Sequence, residues 1–262
     1  MATPSASPLA SAIATAAPLA SPPSAGIEFT PELSAELAAK SAEFETATPQ
    51  QILRWAVERF PAKLTMATAF GPEGMCIIHM LAEIDPRTHV FNLDTGYQFP
   101  ETLELREKVL ARYGMAVEYK RASTTVEQYE QLHDGPLYKT NPDQCCADRK
   151  IGVLREAAKG WHAWISAIRR DQSADRAAAS IVGWDKKFGL VKVNPLANWT
   201  KKEVWKLIVD NDIPYNPLHD QGYTSIGCWP CTRAVMFGED ERAGRWSGFA
   251  KTECGLHKLD DK

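Results

Sequence analysis

Four cysteines in two close pairs are the residues of this chain best suited to chemistry. Cys145 and Cys146 are adjacent in NPDQCCADRK, and Cys228 and Cys231 form the motif CWPC. Four thiolates suit either a tetrahedral zinc ion or an iron–sulfur cluster, whereas CWPC alone could be a redox dithiol. Consecutive helical side chains diverge by about 100 degrees, so joint binding by the adjacent pair predicts a distorted helix start. It also favours a cluster over a single ion.

The other two cysteines differ from each other in their surroundings. Cys76 lies in the apolar run MCIIHML, which predicts a buried, inert thiol rather than a metal ligand. Cys254 lies near the end in KTECGLHKLDDK, with Lys251, His257 and Lys258 close by in sequence. A lone cysteine on a terminal segment could be a nucleophile that moves into a site; the alternative is an idle thiol on a tail.

Composition predicts one large α/β domain and excludes several function classes. The 262 residues are 44% hydrophobic and 24% charged, enough for a substantial core. Thirty Lys and Arg against 33 Asp and Glu give a net charge of −3, without the basic field that nucleic-acid binding requires, so any anion site must be local. No run approaches the roughly 20 apolar residues of a membrane span.

The first 26 residues consist mainly of Ala, Ser and Pro and carry no charge, which predicts a disordered tail. The first basic side chain is Lys40, so the basic start of a secretory signal and the arginines of a transit peptide are missing. We therefore expect a cytoplasmic protein. In that reducing compartment, metal binding or redox chemistry is a better expectation for the cysteines than structural disulfides.

Alternating strands and helices must position these residues. The pattern predicts a single Rossmann-like domain with a parallel-sheet core, because strand-like and helix-like segments alternate as in βαβ units. We divide the chain into the tail 1–26, an α/β domain 27–240 and a flexible C-terminal segment 241–262 that carries a cysteine. The expected strands are 64–70, 88–94, 115–120 and 162–168 with two further short strands, and the expected helices lie within 27–60 and at 75–84, 99–114, 145–160 and 200–213.

Three loops follow predicted strands at the edge where parallel sheets bind ligands: FGPEG, DTGYQFP and RRDQS. Glycines permit close backbone approach, Asp and Thr can bond hydroxyls, and paired arginines can bind an anion. Each loop alone could be a plain turn or a solvated surface, but three at one edge predict a phosphate or sugar site. The candidates are Gly71, Asp94, Thr95, Gly96, Arg169 and Arg170.

Several unusual motifs occur together and in the order of a known family. They are LDTG, the adjacent cysteines, RRDQS, PYNPLHDQGYTSIGCWPCTR, ERAGRW and ECGLH. Over roughly residues 50 to 258 the chain resembles the assimilatory adenylylsulfate reductases of bacteria, within the sulfonucleotide reductases. The resemblance implies a fold like the adenine-nucleotide α-hydrolases and a [4Fe–4S] cluster on Cys145, Cys146, Cys228 and Cys231, the cysteine quartet.

The resemblance also implies an activity. Such an enzyme reduces adenosine 5′-phosphosulfate to sulfite and AMP for sulfate assimilation and cysteine biosynthesis. Cys254 is then the nucleophile that becomes S-sulfocysteine, and an outside dithiol, thioredoxin or glutaredoxin, is the reductant. A homo-oligomer is compatible with this assignment. The implied substrate residues are Thr68, Phe70, Gly71, Leu93, Asp94, Thr95, Gly96, Lys150, Arg169, Arg170, Arg242, Arg245 and His257.

Two rival functions remain open at this stage. The chain could reduce 3′-phosphoadenosine 5′-phosphosulfate or both sulfonucleotides, although the cluster-free reductases of that compound lack the cysteine quartet. It could instead be a zinc-stabilised nucleotide-binding or nucleic-acid-binding module, which would be colourless and would form no sulfite. Visible absorption of anaerobically purified protein separates the zinc module from the cluster enzymes.

Overall fold

Six strands form one central sheet in the part of the chain that the structure describes. The computed structural model describes residues 26–251 and 253–256, and their strand order is β3-β2-β1-β4-β6-β5. All neighbouring pairs are parallel except β5 and β6, which form an antiparallel pair at one edge. The strands are β1 Leu64–Thr68, β2 His89–Asp94, β3 Val117–Arg121, β4 Ala163–Ile165, β5 Val182–Asp185 and β6 Leu190–Val193.

Eight α-helices of the described residues surround the sheet, and local capping signals explain where most of them begin. Thr30, Thr48, Thr125 and Thr200 each accept a hydrogen bond from a backbone N–H of the first turn. Proline occupies the first turn of five helices, where its missing N–H costs no hydrogen bond. The helices are α1 Pro31–Glu43, α2 Pro49–Arg59, α3 Pro72–Ile84, α4 Pro100–Tyr113, α5 Val126–Leu132, α6 Pro142–Cys146, α7 Gly152–Ala157 and α8 Lys201–Asp210.

Two buried clusters cover the sheet, one on each face, because side chains alternate across it. Met66, Val90 and Ile165 belong to the larger cluster, which includes buried side chains of α1, α2, α3 and α8. Phe91 and Trp164 point to the other face and pack with buried side chains of α7 and the segment that follows it. The sheet is thus covered on both faces, as the predicted parallel core requires.

The helix α1 also contacts the β5 edge of the sheet. The Ser41 hydroxyl accepts hydrogen bonds from the backbone N–H groups of Ile181, at 3.1 Å, and Val182, at 3.4 Å. Phe29 stacks on Trp184 of β5 with 4.8 Å between ring centroids. The N-terminal part of the described chain is therefore fastened to the outermost strand.

The predicted α/β fold with a parallel-sheet core is confirmed, with differences in detail. The strand predicted over 162–168 is shorter, and the one over 64–70 ends at Thr68 because Phe70 takes a left-handed φ of 54°. The helix predicted over 145–160 is divided into α6, a π-helical turn at Ala147–Ile151, and α7, and the short polar helix α5 was not predicted.

The predicted tail lies outside the described residues up to position 25, as does His257. The division of the chain at residue 240 and the flexibility of its C-terminal segment stay predictions. In the described part of the chain, no helix combines the length and apolar character that a bilayer crossing demands.

Candidate active site

A cavity of about 240 Å³ opens at the carboxyl ends of β1, β2 and β4. The chain reverses its direction of travel across the sheet between β1 and β4, and such a switch point is where open α/β sheets bind ligands. Most of the predicted site residues border this cavity. They are Thr68, Gly71, Leu93, Thr95, Lys150, Arg169, Arg242, Arg245 and Cys254.

The loop after β1 brings the start of α3 to the cavity. The Phe70 backbone N–H donates a 3.0 Å hydrogen bond to Thr68 Oγ1, which holds the tight turn before Gly71. A Cβ on Gly74 would approach Thr68 Oγ1 to 2.9 Å, so the helix lies as close to this hydroxyl as a side-chain-free residue allows. The Phe70 side chain itself is buried in the larger core cluster and lies outside the cavity lining.

Residues of the loop after β2 have two different roles, since some shape the turn and one borders the cavity. The Asp94 carboxylate accepts a 2.9 Å bond from the Gly96 N–H and pairs with Arg121 at 2.6 Å, outside the cavity lining. Thr95 borders the cavity, and its hydroxyl lies 3.3 Å from the Cys228 sulfur. Thr95 therefore connects the predicted substrate loop with the cysteine quartet, while Asp94 and Gly96 shape the turn.

The two arginines of RRDQS point to different places. Arg169 is 2% exposed, borders the cavity and pairs with Glu73 at 2.9 Å. Arg170 pairs with Glu45 at 2.8 Å and donates to the Ala179 carbonyl at 2.7 Å, so its guanidinium joins surface elements instead of the cavity lining. Of the two predicted anion-binding arginines, the structure brings only Arg169 to the site.

All four members of the cysteine quartet line a second, smaller cavity beside the first. Four residues outside the quartet line both cavities: Thr95, Lys150, Arg245 and Trp246. Of the quartet, Cys228 lines both cavities as well. The adjacent pair ends α6, and the π-helical turn begins at the next residue. A distorted helix start was predicted if both cysteines bind one centre, and the π-helical turn lies directly after the pair.

Electrostatic conditions differ among the thiols. Burial raises the pKa of Cys145 to about 12 and that of Cys231 to about 11. Burial also acts to raise the pKa of Cys228, but the Lys150 ammonium, the Thr95 hydroxyl and nearby Arg245 hold it below its ordinary value. Positive charge is thus concentrated where the two cavities meet.

The quartet fits a multinuclear centre by its donor set and its placement. Four free thiols from two distant segments surround one cavity, and thiolates are the ligands of iron–sulfur clusters. Within residues 26–251 and 253–256, no three His, Cys, Asp or Glu side chains are arranged as a metal-binding group. Cys76 is fully buried, and its sulfur faces the Val204 carbonyl at 3.6 Å, as expected for an inert thiol.

Residues 253–256, the C-terminal arm, bring Cys254 to the larger cavity. Before the arm, Lys251 binds the Pro142 carbonyl at 3.2 Å and the Asp143 carboxylate at 2.6 Å at the start of α6. Within it, the Lys187 ammonium donates to the Gly255 carbonyl, and Leu256 packs against the smaller core cluster. The cysteine of the arm is half-buried between these contacts.

The sequence did not predict a role in the site for the arginine Arg149 or the aromatic residue Trp246. Arg149 is buried, donates a 2.6 Å hydrogen bond to the Thr95 carbonyl and lies over the Tyr97 and Tyr129 rings. Trp246 contacts the Arg245 guanidinium at 4.4 Å from its ring centroid. Trp246 stands in the quoted motif ERAGRW, whereas nothing in the sequence distinguishes Arg149 from an exposed arginine.

Comparison with known proteins shows the family of the chain. Residues 63–234 match the phosphoadenosine phosphosulfate reductase domain. The chain is 48% identical to a phosphoadenosine 5′-phosphosulfate reductase of Gloeobacter violaceus (82% of this chain, 90% of that one). It is 45% identical to an adenosine 5′-phosphosulfate reductase of Salinibacter ruber (87% and 91%).

A solved structure is similar as well. The crystal structure of the phosphoadenylyl-sulfate reductase of Candida auris, in a phosphate complex, superimposes with a TM-score of 0.69 at 30% identity. The match covers 80% of this chain and all of that one. With a family match over most of its length and relatives at this level of identity, the chain belongs to the phosphoadenosine phosphosulfate reductase domain family.

Proposed function

We propose that this protein is an oxidoreductase that reduces adenosine 5′-phosphosulfate to sulfite and AMP, using a dithiol such as thioredoxin. The observation that carries the proposal is the meeting of a thiol with anion-binding side chains. Cys254 borders the same cavity as Lys150, Arg169, Arg242 and Arg245. The relative from Salinibacter ruber is named for this substrate, which supports the assignment.

The first chemical step is nucleophilic substitution at sulfur. The Cys254 thiolate attacks the sulfate sulfur, a new S–S bond forms, and the S–O bond to the phosphate breaks. AMP leaves with the bonding electron pair, and the enzyme carries S-sulfocysteine. Arg242 and Arg245 bind the anionic end of the substrate and stabilise the charge that develops on the departing phosphate.

The second step regenerates the enzyme. One thiolate of the reductant attacks the Cys254 sulfur, sulfite leaves, and a mixed disulfide forms between the two proteins. The second thiol of the reductant then attacks the reductant's own sulfur in this mixed disulfide, which releases Cys254 as a thiol. The balance is one sulfonucleotide and one dithiol consumed, with AMP, sulfite, one disulfide and two protons formed.

The cofactor belongs to the proposal as well: a [4Fe–4S] cluster held by the cysteine quartet. When bound, such a cluster would add a local charge beside the substrate and tie together two distant segments. The residues of this chain supply the rest, because Lys150 lies between the quartet and the larger cavity and Thr95 contacts Cys228. All electrons of the reaction can come from thiols.

Location and organisation follow from the same assignment. A reductant dithiol is maintained in the cytoplasm, which is where we place the protein. We further propose that 27–240 forms the nucleotide-binding domain and that 241–262 is the segment that moves Cys254. The role of His257 in substrate binding is part of this proposal, whereas Phe70, Asp94, Gly96 and Arg170, which lie outside the cavity lining, are assigned a supporting role in the surrounding loops.

Sulfite release from each sulfonucleotide tests the function. With thioredoxin present, we expect adenosine 5′-phosphosulfate to be preferred over its 3′-phosphorylated form by at least about tenfold in kcat/KM. Without reductant, the wild-type protein should gain one SO₃ group, about 80 Da, on the peptide that contains Cys254.

The variant Cys254→Ser is the matched control, since it should bind nucleotide and iron yet form no sulfite. Equal use of both sulfonucleotides would overturn the substrate assignment. Normal sulfite formation by Cys254→Ser would overturn the covalent mechanism.

A further inference from the structure

We propose that Glu253 is a positioning residue, and that its buried ion pair with Arg176 docks the C-terminal arm so that Cys254 faces the larger cavity. This inference rests on the proposed function only for the identity of the reaction that Cys254 performs. The docking itself is a property of the folded protein. Glu253 and Arg176 both act indirectly, through the position of Cys254.

The contact between the two side chains is close and fully buried. Glu253 is 1% exposed, and its two carboxylate oxygens lie 2.9 and 3.1 Å from Nε and Nη2 of Arg176. Arg242 approaches the same carboxylate through one nitrogen at 3.2 Å. A two-point arginine–carboxylate contact fixes orientation as well as distance, so Arg176 is the anchor.

Arg176 is itself held by the loop that follows β4. It ends the short helical turn Ala174–Arg176 just after RRDQS, and its guanidinium also donates to Gln172 Oε1. The same oxygen accepts a 3.0 Å bond from the Arg169 backbone N–H. Glu253 is thereby connected through Arg176 and Gln172 to the backbone at the carboxyl edge of the sheet.

The other contacts of the arm hold it after Cys254, because the Lys187 ammonium bonds the Gly255 carbonyl and Leu256 packs on the smaller core cluster. Lys251, before the arm, is 5% exposed and pairs with Asp143 at 2.6 Å, but it lies three positions from Cys254. Gly255 has a φ of +84°, and a Cβ there would come within 2.9 Å of Ile151, so the chain turns sharply after Cys254. The residue immediately before the cysteine is therefore the one whose side chain fixes it.

Alkylation of Cys254 measures docking without any catalytic turnover. The native protein is treated briefly with iodoacetamide, quenched, digested with trypsin, and the modified fraction of peptide 252–258 is followed by mass spectrometry. The variants are Glu253→Gln, Arg176→Gln and the double variant. The control is Glu239→Gln, which removes the charge from a two-point pair with Arg233, at 2.7 and 2.8 Å, on the protein surface.

We expect Glu253→Gln and Arg176→Gln each to raise the alkylation rate by at least about tenfold, because breaking a buried ion pair frees the arm to open. The double variant should match the single variants, since both remove one shared contact. Glu239→Gln should keep the wild-type rate. Unfolding temperatures identify any variant that does not fold. In that case Arg176→Lys replaces it, because this variant keeps the positive charge but loses the two-point contact. Its alkylation rate should lie between those of the wild type and Glu253→Gln.

Kinetics distinguish positioning from a structural role. In single turnovers without reductant, formation of S-sulfocysteine should slow by about tenfold or more in Glu253→Gln, while the Kd for adenosine 5′-phosphosulfate stays within about threefold. An unchanged alkylation rate in both single variants would overturn the proposal, even if sulfite formation fell. If the wild-type protein formed no sulfite at all, the proposed reaction would fail, but the alkylation rates would still decide whether this pair docks the arm.

Discussion

At the scale of single residues, Gly227 leaves room for Arg245, an arginine that we propose binds the substrate. A Cβ on Gly227 would overlap the guanidinium of Arg245, which borders both cavities. Gly227→Ala should therefore displace Arg245 and raise the KM for adenosine 5′-phosphosulfate about fivefold, equivalent to about 1 kcal/mol of charge-assisted bonding. Steady-state kinetics check this, with Gly26→Ala as the control because a Cβ there meets no neighbour. An unchanged KM would contradict it.

Residue types and their spacing along the sequence predicted one part of the site, the cysteine quartet. The cysteine quartet could be proposed from CC and CWPC, and the structure gathers all four around one cavity. Glu253 could not be found in this way, because its partner Arg176 is 77 positions away and a lone Glu is ordinarily exposed. Pairing across such a distance depends on the folded chain rather than on any local pattern.

At the scale of elements, Arg170 joins the loop after β4 to the helical turn Phe44–Thr46 that follows α1. Hydrogen bonds from Arg170 and Asn198 lower the pKa of the Glu45 carboxyl from 4.5 to about 2. This pair is partly exposed, so Arg170→Ala should lower the free energy of unfolding by only about 0.5 to 1 kcal/mol near neutral pH. The KM for the sulfonucleotide should change less than about threefold, because the guanidinium lies outside the cavity lining.

The pH dependence of that stability difference has a definite sign. A carboxyl whose pKa is lowered in the folded state stabilises it fully above pH 4.5, and the contribution disappears as the pH falls towards 2. Urea unfolding of both proteins across this range should show the gap between wild type and Arg170→Ala closing. A constant gap, or a large increase in KM, would show that Arg170 acts elsewhere.

Helices with local start signals were predictable, whereas the direction of the edge strand was not. Threonine followed by proline occurs before α1 and α2, and both helices begin there. The antiparallel pairing of β5 is decided by the short connection from Asp185 to Leu190, which returns the chain as a hairpin. A distorted helix was expected near the adjacent cysteines if both bind one centre, whereas its π-helical form and its bounds Ala147–Ile151 were not predicted.

At the scale of the whole molecule, the cysteine quartet joins segments far apart in sequence. If a cluster is bound there, Cys228→Ser should lose most of the iron and the sulfite-forming activity together. The same variant should unfold at a lower temperature than wild type, because the link between α6 and the CWPC turn is removed. Iron analysis, visible absorption and thermal unfolding check this. Cys76→Ser is the control for loss of a thiol, and full iron content in Cys228→Ser would exclude it as a ligand.

The contact of Ser41 with the β5 edge has a consequence for how the protein behaves in crowded solution. Its hydroxyl occupies backbone N–H groups that a strand from another molecule would otherwise use, so α1 closes that side of the sheet against β-addition. The family match begins at residue 63, beyond α1. A fragment trimmed to residues 63–256 would expose those donors, and light scattering should record self-association that the full chain resists.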